Sequence, residues 1–197
     1  GDVDNDGDLD LYVTTVYGGD DGRLYRNDGN WQFSNITSAA GDLSNPDNSY
    51  QNAWADFDND GDLDLVTASR IYRNDSTGNN WLKLKLVGDG NFVNTTSIGA
   101  QVRATYDGVM ATRQVEGGTG HGNQNDLTLH FGLGSYSGSV ALEVTWPDGT
   151  VRTLSVDSNQ THTILRNEAP SVPTNLLATD LHTHGGMISW DPSIDGE

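Results

Sequence analysis

The sequence predicts an all-β protein, and three observations support that fold class. A ten-residue acidic motif occurs twice, beginning at residues 2 and 56. Short runs rich in β-branched residues follow each copy, as is typical of strands that leave a turn. Nowhere does the chain show the sustained 3.6-residue apolar period of an amphipathic helix. We therefore expect little or no helix.

The composition of the chain argues against several classes of function. The 197 residues include 28 Asp or Glu and 10 Lys or Arg, which gives a net charge of −18. A charge of this sign repels a phosphate backbone, so nucleic acid is not an expected partner. No apolar run approaches the roughly 20 residues of a membrane helix, so no membrane span is expected. The absence of Cys excludes disulfides, thiolate metal sites and cysteine catalysis.

An internal duplication organises residues 1–78. The motif Asp2–Leu11 recurs as Asp56–Leu65, and Leu24–Asp28 recurs in the same order as Ile71–Asp75. Two ordered matches indicate a duplicated unit. The predicted strands are Leu11–Val16 and Leu65–Ala68, with second strands that begin at Leu24 and Ile71. Because the chain begins inside the first motif, we expect it to be a piece of a longer protein.

Residues 79–167 are predicted to form a separate antiparallel β-sandwich or barrel-like domain. The alternating apolar and basic residues of Trp81–Val87 predict a half-exposed strand. Further strands are predicted as two hairpins and two single runs: Ile98–Tyr106 with Val109–Val115, Leu127–Phe131, Val140–Trp146 with Val151–Val156, and His162–Leu165. In the remaining residues, 168–197, two prolines predict a linker. Asn175–Ala178 and Met187–Trp190 then predict two more strands.

The acidic motifs carry the predicted chemistry, which is the binding of two Ca²⁺ ions. Two carboxylates about 5 Å apart repel by roughly 3 kcal/mol at an effective dielectric of 20, so a compact loop that holds several needs a cation. Oxygen ligands in this number, with a glycine at the sharp turn, suit Ca²⁺. The predicted ligands are the side chains of Asp2, Asp4, Asp6 and Asp10 with the carbonyl of Asp8, and the side chains of Asp56, Asp58, Asp60 and Asp64 with the carbonyl of Asp62.

Two other interpretations of the motifs are disfavoured. An EF-hand requires Glu at the twelfth position, where this chain has Val13 and Thr67 in predicted strands. A solvated acidic turn without metal would not repeat the glycine and the leucine after it in register.

The duplicated region resembles the FG-GAP/VCBS repeats of β-propellers. The matching residues are the two acidic motifs, the flanks Asn52–Ala55 and Ile71–Asn74, and, in the first copy, Leu24–Phe33, Ile36–Thr37 and Ala39–Gly41. The resemblance implies partial β-propeller-like blades with calcium loops over residues 1–78. It also implies a calcium role for the aspartates named above.

The regions that follow resemble two other domains. Residues 79–167 are similar to the ASPIC/UnbV domain, which follows such repeats in acidic extracellular proteins. The matching residues are Asn80–Leu82, Ile98–Ala100, Gly117–Gly120, His130–Gly134 and Val144–Gly149. Residues 170–197 resemble the first strands of a fibronectin type III domain, with Trp190 as the core residue. That resemblance implies truncated fibronectin III-like strands at 168–197.

Catalysis finds little support in the sequence. There is no nucleophile-elbow motif, and the clustered carboxylates are assigned to calcium, so we expect no enzyme activity. His182 and His184 lack a third ligand for a metal. Trp31, Trp54 and Trp81 could stack on sugars, although such residues more often pack in β proteins.

The sequence thus predicts a secreted, extracellular or cell-surface segment that is stabilised by calcium. Its expected role is adhesion or scaffolding through a protein or glycan ligand at the cell surface or in the matrix. Self-association through unpaired strand edges is a further expectation. Two alternatives stay open: a carbohydrate-binding accessory of a larger surface enzyme, and a subunit of a self-assembling extracellular filament.

Overall fold

The computed structural model describes residues 1–16, 22–41, 43, 50–67, 70–75 and 78–167, and the backbone of two strands beyond them. Regular structure in this part of the chain is entirely β, which confirms the predicted fold class. The chain divides into two compact units, Gly1–Arg166 and Asn167–Glu197. Among the described residues, no helix has the length and apolar character needed to cross a membrane.

Each repeat contributes a small antiparallel sheet. The strands are β1 (Leu11–Val13), β2 (Arg23–Asn27), β3 (Phe33–Asn35), β4 (Asn52–Ala55), β5 (Asp64–Thr67) and β6 (Ile71–Tyr72). Their orders are β1-β2-β3 and β4-β5-β6. The pair β1–β2 corresponds to the pair β5–β6, as the duplication predicts. Strands β3 and β4 were not predicted, because runs of three and four residues carry too little apolar periodicity.

The two repeats share one small core. Buried side chains from both copies form a single cluster: Val3, Tyr12, Leu24, Leu43, Trp54 and Leu65. Because neither sheet of three short strands can bury an apolar face alone, the repeats pack against each other.

The second region has two packed sheets. Its strands are β7 (Asn80–Val87), β8 (Gln101–Tyr106), β9 (Val109–Gln114), β10 (Leu129–Gly134), β11 (Ser139–Thr145), β12 (Val151–Asp157) and β13 (Thr161–Leu165). The sheet orders are β10-β7-β13 and β12-β11-β8-β9, and side chains of both sheets meet in one core cluster. Both predicted hairpins are present, as β8–β9 and β11–β12. One pair departs from the antiparallel prediction, since β13 runs parallel to β7.

Strand β7 also departs from the prediction of a half-exposed strand. Lys85 is exposed as the alternating pattern implies, but Lys83 is only 5% exposed. The reason is tertiary: the second acidic loop packs against β7 at Lys83, whose Nζ lies 2.6 Å from Asp56 Oδ2.

The edge of β4 is covered by a loop of the second region. Trp54 N donates to Asn125 Oδ1 at 3.0 Å, and Asp126 N donates to Trp54 O at 3.0 Å. Asn123 Nδ2 also donates to the carbonyl of Asn52. This cover blunts one of the strand edges that the sequence suggested for self-association.

The second unit is described as the backbone of one hairpin. Its strands are β14 (Leu177–Leu181) and β15 (Gly185–Ser189), which pair antiparallel. They overlap the two strands predicted for this region. His182, His184 and Trp190 lie outside the described residues.

Candidate metal centre

The two acidic loops fold in the same way because their backbone dihedrals repeat. Gly7 and Gly61 have φ values of 101° and 100°, which a residue with a side chain rarely adopts. Asn5 and Asn59 occupy the left-handed region at 58° and 62°, where Asn is tolerated. Each loop thereby makes the sharp turn that the glycine predicted.

The last aspartate of each motif ties its loop to two strand ends. Asp10 accepts hydrogen bonds from Val3 N and Asn27 N, each at 2.8 Å. Asp64 accepts the equivalent bonds from Phe57 N and Asn74 N, also at 2.8 Å. Val3 and Phe57 are equivalent positions of the two repeats, and so are Asn27 and Asn74. In each repeat, the motif that contains the asparagine therefore holds the acidic loop in place.

The first aspartate of each motif closes the turn. Asp2 Oδ2 accepts from Gly7 N at 3.0 Å, and Asp56 Oδ2 accepts from Gly61 N at 2.9 Å. These bonds use one oxygen of each carboxylate. The other oxygen, Oδ1, is buried without a hydrogen-bond partner among the described residues in both Asp2 and Asp56.

Three carboxylates converge in each loop. Oxygen atoms of Asp2, Asp4 and Asp10 lie within 4.8 Å of one another, and so do those of Asp56, Asp58 and Asp64. Two oxygens bound to one Ca²⁺ at about 2.3–2.6 Å can be separated by that distance. Unpartnered buried oxygens on Asp2, Asp4 and Asp56 point to a missing positive charge. The residues present therefore fit calcium.

The remaining predicted ligands have other partners in the structure. Asp6 Oδ1 and Asp60 Oδ1 accept hydrogen bonds from the backbone N of Asp8 and Asp62, each at 2.9 Å. Neither Asp6 nor Asp60 belongs to a converging group of three. Ligation by these two side chains, and by the carbonyls of Asp8 and Asp62, stays a prediction.

The electrostatics of the loops show the cost of the clustered charge. Burial, and then the charges of Asp6 and Asp10, raises the pKa of Asp2 to about 7. Burial, and then the charge of Asp60, raises the pKa of Asp62 to about 6. A raised carboxyl pKa stabilises the fold at low pH, and this contribution is lost as the pH rises through the folded value. At neutral pH the loops of the calcium-free protein therefore carry charge that a cation would compensate.

The loops contact each other through asparagine side chains. Asn5 Nδ2 donates to Asp62 Oδ1 at 2.7 Å and to Gly61 O at 3.3 Å. In the other direction, Asn74 Nδ2 donates to Val3 O at 2.7 Å. Asn5 thus joins the two loops directly, and Asn74, which follows β6, joins the second repeat to the first loop; we call the two joined loops the loop layer. Sequence reasoning gave neither asparagine a role in this contact.

The loop layer also docks on the second region. Gly132 N donates to Asp2 Oδ2 at 3.1 Å, and Gly134 N donates to Asn5 O at 2.8 Å. His130 Nε2 lies 2.9 Å from Gly61 O, and it must donate because a carbonyl only accepts. Burial lowers the pKa of His130 to about 4, so the ring is neutral at pH 7.

These contacts place at the site a motif that was used above only for the resemblance to the ASPIC/UnbV domain. His130, Gly132 and Gly134 belong to the run His130–Gly134, which is part of β10. Sequence reasoning missed their role, although the two glycines spaced two apart in a strand were a signal of close backbone approach.

One difference separates the two loops. Asp2 Oδ2 takes a neutral backbone donor from Gly132, whereas the equivalent oxygen of Asp56 takes the ammonium of Lys83. Lys83 Nζ also donates to Asn59 Oδ1 at 3.2 Å. The second loop thus has the ammonium of Lys83, a residue of β7, beside its first aspartate.

The three tryptophans proposed for sugar stacking differ in accessibility. Trp54 is buried in the core of the repeats. Trp81 is half-buried, with Lys83 Nζ 5.7 Å from its ring centroid. Trp31 is 88% exposed, so it alone of the three presents a free ring.

Comparisons with known proteins agree with the resemblances found in the sequence. Residues 2–67 match the model of the FG-GAP-like repeat, and residues 90–171 match that of ASPIC and UnbV. These matches confirm the two resemblances, while the likeness to fibronectin type III stays a prediction.

Among curated proteins, the chain is similar to cartilage acidic protein 1 of several vertebrates. It is 33% identical to that of Xenopus tropicalis over 141 residues, which cover 64% of this chain and 20% of the relative. It is 33% identical to that of Mus musculus and 32% identical to that of Homo sapiens, each over 125 residues that cover 56% of this chain and 18% of the relative. The chain thus spans about a fifth of the length of these relatives.

Proposed function

We propose, from the premise that the chain joins FG-GAP-like repeats to an ASPIC and UnbV segment, that it is a calcium-stabilised extracellular scaffold or adhesion segment. The observation that carries the proposal is the pair of matching carboxylate clusters, Asp2–Asp4–Asp10 and Asp56–Asp58–Asp64. Each would hold one Ca²⁺. FG-GAP-like repeats commonly bind this ion, and oxygen donors in this number suit it.

The chain's own residues set the site before any ion binds. Backbone N–H groups orient one oxygen of Asp2, and both oxygens of Asp10, leaving Asp2 Oδ1 free for a cation. When bound, Ca²⁺ supplies the positive charge that compensates these carboxylates. The protein's contribution is the placement of the ligands at the junction of both repeats and the second region.

This placement supports a scaffold role. Asn5 and Asn74 join the two repeats at the loop layer. The same layer contacts β10 through Gly132 and His130. Compensation of the charge at this junction stabilises all three elements together. A surface built from them then keeps one shape, which binding to a partner requires.

The extracellular setting of the proposal rests on the relatives. They are named cartilage acidic protein 1, and this chain is itself strongly acidic, with a net charge of −18. Partners in the proposal are proteins or glycans of the matrix or cell surface. The proposal contains no catalytic role, because the clustered carboxylates are assigned to structural calcium.

Calcium is expected to raise the melting temperature of the protein substantially above its value in EGTA. A ligand that binds only the folded state adds about 2.7 kcal/mol per site at a hundredfold excess over Kd. Asp4→Asn should lose much of this rise, because Asp4 belongs to the first cluster. Asp107→Asn removes the same charge from an exposed turn and should keep the rise. Melting midpoints that do not differ between calcium and EGTA would contradict the calcium sites.

The scaffold role is tested by binding to immobilised extracellular-matrix extract. We expect saturable binding in calcium and little in EGTA, since the junction holds its shape only when its charge is compensated. Asp107→Asn serves again as the matched control. Absence of binding in calcium, from protein whose melting still responds to calcium, would contradict the adhesion role and leave the calcium sites standing.

A further inference from the structure

A cleft of about 430 Å³ opens beside the loop layer, between the two repeats and the second region, residues 79–167. Its size falls in the range of about 300–1,000 Å³ that small-molecule sites occupy. The loop that covers β4 contributes Asp126, and the ends of β8 and β9 contribute Gln101 and Gln114. The calcium assignment does not use these three side chains.

The two glutamines form a matched pair. Gln101 and Gln114 are directly opposite each other in β8 and β9, so their side chains leave the same side of the sheet. Neither carboxamide has a hydrogen bond to another residue in the part of the chain that the structure describes. Each offers two N–H donors and an acceptor. Together they present a surface on which donors and acceptors alternate.

Carboxylates add acceptors to this surface. Glu116 and Asp126 line the same cleft and are exposed. Asp126 uses one oxygen to accept from Thr128 N at 3.2 Å, which leaves the other for a ligand. A hydroxyl group both donates and accepts, so neighbouring carboxamides and carboxylates suit a ligand with several hydroxyls.

The two cationic side chains of the cleft, Lys83 and Arg113, make hydrogen bonds within the protein. Lys83 pairs with Asp56 at 2.6 Å. Arg113 donates to Thr112 O at 3.1 Å and to Gly7 O at 3.4 Å. Glu116 and Asp126 add two negative charges to the same lining, and the whole chain has a net charge of −18, so the cleft disfavours an anion. The cleft therefore favours a neutral ligand over a sulphated or phosphorylated one.

Apolar side chains complete the lining. Trp54, Leu63 and Leu129 border the cleft. A sugar ring has hydroxyls at its edge and C–H groups on its faces, so it can use the polar and the apolar parts of such a site together.

We infer that this cleft binds the terminal sugar of a neutral glycan, recognised by Gln101, Gln114, Glu116 and Asp126. The inference rests on the proposed function, because it names a chemical class of partner for the scaffold. It differs from a site built on exposed tryptophan, because Trp31 is not part of the cleft.

The test uses a glycan array that carries galactose-, mannose-, fucose- and N-acetylglucosamine-terminated neutral glycans beside sulphated ones, probed in calcium. The wild type is expected to bind neutral glycans. The double variant Gln101→Ala/Gln114→Ala should bind them at least tenfold more weakly. The single variant Gln114→Ala, at an exposed position, should bind them severalfold more weakly. Gln160→Ala, an exposed glutamine outside the cleft, and Trp31→Ala should bind like the wild type.

Binding of sulphated glycans alone, unchanged binding by both glutamine variants, or loss of binding in Trp31→Ala would each overturn the inference. Melting in calcium and in EGTA is measured on the same samples. Absence of glycan binding in a protein that calcium still stabilises overturns the cleft assignment and leaves the proposed function intact. A protein that calcium does not stabilise contradicts the proposed function itself.

Discussion

Lys83→Met is expected to lower the free energy of unfolding of the calcium-free protein by about 3–5 kcal/mol, the usual effect of removing one partner of a buried ion pair. Lys83 Nζ is 2.6 Å from Asp56 Oδ2, and both side chains are almost fully buried. Without the ammonium, the buried carboxyl group of Asp56 lies beside those of Asp58 and Asp64 and has lost its cationic partner.

The loss should be smaller in saturating calcium, because a bound dication compensates the charge that Lys83 leaves behind. Calcium affinity at the second site should also rise, since the ion no longer competes with an internal cation. Urea unfolding in EGTA and in calcium measures the first effect, and calorimetric titration measures the second. Lys85→Met, an exposed lysine in the same strand, is the matched control. Equal losses in the two buffers would show that Lys83 does not act through the second carboxylate cluster.

Gly132→Ala is expected to destabilise the protein by about 3 kcal/mol, at the upper end of the usual cost of overpacking. A Cβ at this position would overlap Asp2 Oδ2 and would lie 2.5 Å and 2.6 Å from the backbone C and Cα of Asn5. The neighbouring atoms are mainly backbone, so they cannot move aside as a flexible side chain would. The first loop must then separate from β10 and lose the hydrogen bond from Gly132 N to Asp2.

Calcium titration separates this effect from ordinary loss of stability. Because Asp2 is in the first cluster, we expect weaker binding at the first site in Gly132→Ala than at the second. Gly118→Ala is the control, since a Cβ there meets nothing within 4 Å. Wild-type stability and affinity in Gly132→Ala would mean that the loop does not rest on β10 as the structure has it.

Much of the candidate site could be predicted because its contacts are local. Asp2 and Gly7, or Asp10 and Val3, are five and seven residues apart, so the motif itself contains donor and acceptor. Because the motif occurs twice, the sequence also shows that its glycine and its final aspartate recur at the same positions. For the same reason the hairpins β8–β9 and β11–β12 could be predicted from short turns between alternating runs.

The rest of the site could not be predicted because its contacts join distant parts of the chain. Lys83 is 27 residues from Asp56, and Gly132 is 130 residues from Asp2. The alternating pattern of β7 placed Lys83 in solvent, as it does Lys85, because the pattern contains no information about what covers the strand. Lys83 and Lys85 lie on the same face of β7, and only the packing of the second loop at Lys83 buries the first and leaves the second in solvent.

The sequence alone determined that this chain is all-β, that it contains two equivalent acidic loops, and that these loops have the donors for calcium. Those properties depend on backbone preferences, periodicity and charge within about ten residues. The tertiary structure decided that the loops touch each other, that β10 supports the first, and that a lysine compensates the second. These contacts depend on which surfaces meet when the apolar faces of the repeats and the second region are buried, and residue spacing within a motif does not encode them.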